Sequence, residues 1–166
     1  MESENTAFVI TVSDGVSSGT REDQGGQLVA EYLLALSFIV HRTVVPDDRL
    51  QIERALRAAV EKQCALVVTT GGTGLGPRDV TPEATRSVME REVPGLAEQM
   101  RRIGLEQTPF AILSRGVCGV SARTLILNVP GNPKGAVDSL KAVAPVLKHA
   151  LAVLRRSRYD HALEKD

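Results

Sequence analysis

Apolar and polar positions along the chain fall into two alternating textures, short β-branched runs and longer stretches with an apolar residue every three or four positions. The runs predict buried strands at Ala7–Val12, Phe38–Val45, Ala65–Val68 and Thr124–Val129, each bounded by turn residues. The stretches predict helices. Leu28, Val29, Tyr32, Leu33 and Leu36 mark one from about Gln24 to Leu36, capped by Asp23, and Ile52, Leu56, Ala59 and Val60 mark one after Asp48. Thr81-Pro82-Glu83 has the order of a helix start, cap then proline then acid, and that helix is expected to reach about Glu90. Pro94 restarts a helix through Leu96, Met100, Ile103 and Leu105, and a closing helix is expected from about Ala136 to Leu154. Phe110–Arg115 reads as a further strand. The connector Gly116–Arg123 is too short for a crossover helix, so that strand and Thr124–Val129 are expected to be antiparallel neighbours in a mostly parallel, mixed α/β sheet.

Composition narrows the class. The 166 residues suffice for one domain, taken as residues 1–154, followed by a charged tail, 155–166, that lacks an apolar stripe and reads as frayed or disordered. Apolar residues are 43% of the chain and charged residues 24%, values of an ordinary soluble protein. Lys+Arg and Asp+Glu are 20 each, so no basic surplus supports nucleic acid or membrane partners. Cys64 and Cys118 are too few and too separated for a zinc site and are expected as buried thiols in a reducing compartment. The polar, acidic start Met1–Asn5 is unlike a signal peptide, and no run approaches the ~20 apolar residues of a membrane span, so a cytoplasmic protein is expected.

The candidate chemistry centres on Val67–Ala84, where a strand runs into Gly71-Gly72-Thr73-Gly74-Leu75-Gly76 and then a helix. Glycines there would serve a sharp turn in any α/β protein. They also leave backbone N–H groups uncovered, with Thr69, Thr70 and Thr73 hydroxyls among them, as an oxyanion site requires. Arg78 offers a cation for phosphate oxygens, and Asp79 a carboxylate for a magnesium ion carrying the same phosphates. The loop is neither a Walker loop nor a dinucleotide fingerprint.

Other turns at strand exits add candidates. Ser13-Asp14 opens a hydroxyl-rich loop after the first strand, where open parallel sheets bind ligands. In Pro46-Asp47-Asp48 the last residue caps a helix, which leaves Asp47 to converge with Asp79 on one hydrated magnesium ion. Asn128-Val129-Pro130-Gly131-Asn132-Pro133-Lys134 forms a rigid turn that is architectural or else presents backbone groups to a planar base, with Lys134 as a further cation. His41, His149 and His161 lie in unlike contexts and receive no ligand role.

Thr69-Thr70-Gly71-Gly72-Thr73-Gly74 followed by Arg78-Asp79-Val80-Thr81-Pro82-Glu83-Ala84, with the turns just named, resembles the molybdopterin adenylyltransferases: the MogA group and the G domain of gephyrin, with their MoaB relatives. The likeness spans Phe8 to Leu154. It implies a three-layer α/β/α sandwich, usually trimeric, that transfers AMP from ATP to the terminal phosphate of molybdopterin in molybdenum cofactor synthesis. It also implies a molybdenum-insertion (MoeA-type) partner. By motif, Asp47 and Asp79 match the family's functional acids, associated with magnesium and catalysis, and Gly71, Gly72, Thr73 and Gly74 match its phosphate loop. Ser13 and Asp14 match the pterin side; Ser114 and the turn Asn128, Pro130, Gly131, Asn132 and Pro133 match segments lining the site. A MoaB-like protein that binds pterin without adenylyl transfer, or a scaffold that has lost its ligand, would share these motifs. The inventory suits the transfer chemistry on its own terms. A phosphate monoester, with a second pKa near ~6, is already mostly dianionic at neutral pH and needs no histidine base.

Overall fold

The computed structural model describes residues 5–156. Six strands form one sheet: β1 (Thr6–Val12), β2 (Ile39–Val45), β3 (Leu66–Thr70), β4 (Arg91–Glu92), β5 (Cys118–Ser121) and β6 (Thr124–Val129), in the order β2-β1-β3-β6-β5-β4. The first four of that order are parallel; β5 is antiparallel to both β6 and β4. The helices are α1 (Asp14–Ser17), α2 (Gln24–Ala35), α3 (Arg49–Glu61), α4 (Thr81–Val88), α5 (Pro94–Gly104) and α6 (Pro133–Arg155).

Strand alternation sorts the core into two halves. Val9, Leu66, Val68, Leu125 and Leu127 pack with Val29 and Leu33 of α2, Leu96 and Met100 of α5, and Leu140, Val143 and Leu147 of α6. On the opposite face Ile10, Val12, Val67 and Ile126 pack with Ile52 and Leu56 of α3 and Ala84 and Val88 of α4. The protein is therefore a three-layer α/β/α sandwich. Burial on both faces explains why β1, β3 and β6 read as continuous apolar runs. The edge strand β2 is mostly exposed and carries His41, Arg42 and Thr43, polar residues that discourage pairing with another chain.

Several local expectations are corrected. Phe110–Arg115 is not a strand: Pro109–Leu113 is a 3-10 turn, opened by the Thr108 hydroxyl, which accepts a hydrogen bond from the Phe110 amide. The antiparallel neighbour of β6 is instead Cys118–Ser121, across the two-residue turn Ala122-Arg123, with Ala122 at φ 51°. Thr81 is inside α4 rather than its cap; Val80 takes that place without a side-chain bond. That helix ends at Val88, short of Glu90, because Glu90 donates its amide to Val120 at the start of β4 pairing. The closing helix begins earlier than expected, at Pro133, because Asn132 accepts from the Gly135 amide and caps it. It continues through Arg155, the first residue of the expected tail; residues 157–166 of that tail lie outside the described residues. Both cysteines are buried free thiols, their pKa values pushed by burial to about 11 for Cys64 and about 12 for Cys118.

Candidate active site

The parallel strands β1, β2, β3 and β6 end on one edge of the sheet, and the strand order reverses between β1 and β3. Loops leaving such a point diverge to opposite faces and open a crevice. The glycine loop fills it. Gly71 and Gly72 have φ of 102° and 67°, a region that only glycine enters without strain. A Cβ on Gly71 would lie 2.3 Å from the Val12 carbonyl oxygen, and one on Gly72 would lie 2.2 Å from Thr81 Oγ1. Thr81 fastens the turn: its hydroxyl donates to the Gly71 carbonyl at 2.9 Å and its amide donates to that of Gly72 at 3.1 Å. The amides of Gly72, Thr73 and Gly74 have no hydrogen-bond partner among the described residues. Three adjacent donors therefore remain for a ligand.

The acids border this loop. Asp47 Oδ1 would stand 3.3 Å from a Cβ on Gly72, and Asp79 Oδ2 would stand 2.8 Å from one on Gly74. Asp79 is held by the Gly76 amide, which donates to Oδ2 at 2.9 Å. Asp14 and Asp47 exchange bonds. The Asp14 amide donates to Asp47 Oδ2 at 2.9 Å, and the Asp47 amide donates to Asp14 Oδ1 at 3.0 Å. Arg78 donates Nε and Nη2 to the two oxygens of Asp14, both at 2.9 Å. This contact and the Asp47 amide hold the Asp14 carboxyl below the usual carboxylate range. Asp47 moves the other way. Partial burial raises its pKa, and the charges of Asp14 and Asp79 add to that.

On the other side of the glycine loop lies a cleft of about 650 Å³, walled by Gly72–Leu75 and Asp79, by α5 and the 3-10 segment through Met100, Phe110 and Leu113, and by the β6–α6 turn. Of the sequence candidates, Gly72, Thr73, Gly74, Asp79, Ser114, Asn128, Pro130, Gly131 and Asn132 line it. Ser13, Asp14, Asp47 and Arg78 gather behind the loop instead. Ser13 caps α1 by accepting the Val16 amide. Lys134 is turned into an ion pair with Asp138 at 2.7 Å, so it is not an open cation. Arg78 is likewise engaged, by Asp14. Asn128 is 3% exposed and supports the floor: its amide donates to Thr69 Oγ1 and Thr85 Oγ1 at 2.8 and 3.0 Å, and its oxygen accepts from the Val117 amide at 3.1 Å.

Sequence reasoning missed Arg115. Its guanidinium donates to the Gly74 carbonyl at 2.8 Å, to the Asp79 carbonyl at 2.6 Å and to Glu83, while its amide donates to the Thr73 carbonyl at 2.8 Å. The only signal was an arginine flanking Ser114, with nothing nearby in sequence to suggest these partners.

With this geometry in view, comparison with known proteins is specific. Residues 8–149 match the family model MoCF_biosynth, described as "Probable molybdopterin binding domain", and the chain belongs to that family. The molybdopterin adenylyltransferase of Helicobacter pylori strain J99 is 43% identical over 152 residues, covering 88% of this chain and 85% of that one. Two solved structures share the fold: the molybdopterin biosynthesis enzyme MoaB of Thermus thermophilus, at TM-score 0.85 and 52% identity over 90% of this chain and 95% of that one, and the molybdopterin biosynthesis Mog protein of Mycobacterium ulcerans, at 0.86 and 43% over 90% and 99%.

Proposed function

We propose that the protein is a molybdopterin adenylyltransferase, moving AMP from ATP to the terminal phosphate of molybdopterin with release of pyrophosphate. The observation that carries the reading is the convergence of Asp47 and Asp79 on one glycine loop with three unpartnered amides, in a chain this similar to an enzyme of that name. The three amides of Gly72, Thr73 and Gly74 would hold phosphate oxygens. The cleft wall of Met100, Phe110 and Leu113 would exclude water and seat an organic group, and the β6–α6 turn would border it. The nucleophile is already ionised, so what remains is alignment and neutralisation of two anions. The chain needs no base.

The crowding of Asp47 by two other carboxylates fits a cation at this point. Asp47 and Asp79 would hold magnesium that arrives with the nucleotide, since such an ion takes one or two protein carboxylates beside phosphate oxygens. Bound there, it would neutralise triphosphate charge and polarise the phosphorus under attack. A homotrimer, a cytoplasmic location and a MoeA-type partner belong to the same reading. Among the described residues no helix is long and apolar enough to cross a membrane.

A second reading is a MoaB-like pterin-binding protein without transfer activity; the Thermus relative, 52% identical, carries the MoaB name and is described as a molybdopterin biosynthesis enzyme. Incubating the purified protein with molybdopterin, ATP and magnesium and measuring adenylylated product and pyrophosphate separates the two. Product supports the enzyme; tight pterin binding without product supports the second reading; neither outcome leaves only a scaffold. Mass in solution checks the trimer.

A further inference from the structure

Arg115 ties its own segment to the loop after Gly72 and to the first turn of α4. The loop from Thr73 to Asp79 contains two glycines and a proline, and no strand or helix stabilises its backbone. Its amide at Gly76 is held by the Asp79 carboxylate, a bond inside the loop that does not fix the loop to the body of the protein. Arg78 ties the loop's outer part to Asp14, and the loop's two ends are fixed by residue 115. The Arg115 amide takes the Thr73 carbonyl, Nε takes that of Gly74 and Nη2 takes that of Asp79, so both ends of the loop hang on one residue. The third nitrogen, Nη1, pairs with Glu83 in the first turn of α4, which draws the Glu83 carboxyl below its usual range and anchors the guanidinium to the helix after the loop. Arginine suits this position because its fork is planar and rigid, and three separate acceptors around it are met at once. Lysine, with its donors on a single nitrogen, could not meet the Gly74 carbonyl, the Asp79 carbonyl and Glu83 together.

We propose that Arg115 is a positioning residue for the reaction: it sets where the loop amides and the Asp79 carboxylate stand, without itself touching substrate. The inference rests on the adenylyltransferase reading for its kinetic consequence, though not for its structural one. Misplacing reacting groups by about 1 Å costs on the order of 100-fold in rate. R115Q should therefore lose roughly 10- to 100-fold in kcat, with KM for ATP changed far less, because loop displacement misaligns bound phosphates more than it prevents their binding. R115K should recover part of that loss.

The experiment pairs kinetics with hydrogen exchange on the intact protein. In R115Q, exchange of the hydrogen-bonded loop amides of Gly76 and Asp79 should accelerate while peptides from β1, β3 and β6 keep wild-type protection; R115K should fall between. Unchanged exchange in the loop overturns the proposal. So does accelerated exchange with a wild-type kcat, because the loop's hold would then have no bearing on the reaction. Exchange spreading into the strands would make Arg115 a general structural residue and would also overturn it. If the wild-type protein makes no adenylylated product, the functional reading fails, and the exchange experiment still decides whether Arg115 holds the loop.

Discussion

Asp14 and Asp47, 33 residues apart in sequence, each donate a backbone amide to the other's carboxylate, at 2.9 and 3.0 Å. The exchange locks the β1–α1 and β2–α3 turns together. It also sets two negative charges side by side, and Arg78 neutralises only one of them. The result is a division of character: Asp14 is a settled ion pair, whereas Asp47 carries the electrostatic strain of the site.

That strain predicts opposite effects of one substitution on activity and stability. D47N keeps an oxygen for the Asp14 amide and removes the charge proposed to act at the triphosphate, so adenylyl transfer should fall by about 100-fold or more. A carboxyl whose folded pKa is raised favours the fold when protonated, and that contribution is lost as pH rises through the folded pKa. At pH 7 the melting temperature of D47N should therefore equal or exceed that of wild type, and the difference should vanish below the ordinary carboxylate range. Thermal melts at pH 7 and pH 3.5 beside a transfer assay check both. A strongly destabilised D47N at pH 7 would contradict the assignment.

Gly72 should tolerate no side chain. G72A puts a methyl group 2.2 Å from the Thr81 hydroxyl oxygen at a φ of 67°, so stability should drop by roughly 1–3 kcal/mol and transfer should be largely lost. G95A meets nothing within 4 Å and should melt within a degree or two of wild type. Denaturant midpoints of the two variants give the comparison.

Removing the Asn128 amide strips hydrogen bonds from Thr69, Thr85 and the Val117 amide in a buried setting. N128A should cost about 2–4 kcal/mol, since an unsatisfied buried group costs roughly 1–3 kcal/mol and the Val117 donor cannot rotate to find a new acceptor. A chevron or equilibrium urea series reads this. A loss under about 0.5 kcal/mol would mean that water replaces the side chain.

The thiols should be silent in the folded protein. With both sulfurs buried and their pKa values raised to about 11 and about 12, a thiol reagent at pH 8 should label neither Cys64 nor Cys118 until denaturant is added. Labelling in native buffer would show that the core around β3 or β5 opens locally.

How much of this the residues announce depends on whether the information is local. Strands β1, β3 and β6 are legible because a strand buried on both faces must be apolar throughout, and the glycine loop because its backbone conformation requires glycine. Phe110–Leu113 is as apolar as a strand, and a short run cannot be told apart by composition alone. The Pro109 that follows Thr108 sends it into a 3-10 turn, leaving Phe110 74% exposed. The true strand, Cys118-Gly119-Val120-Ser121, is made of small residues and carries little signal. Arg115 is the clearest omission, since its side-chain partners lie 32 to 41 residues away and nothing but folded geometry brings them to it.

The 3-10 segment that walls the cleft contributes no rung to the sheet, and Phe110, Ile112 and Leu113 are left exposed. Replacements along it are thus insulated from the sandwich beneath. A lineage could remodel what enters the crevice through Phe110 and Leu113 while the acids, the glycines and the packing that support them stay as they are, so substrate preference and foldability can drift independently.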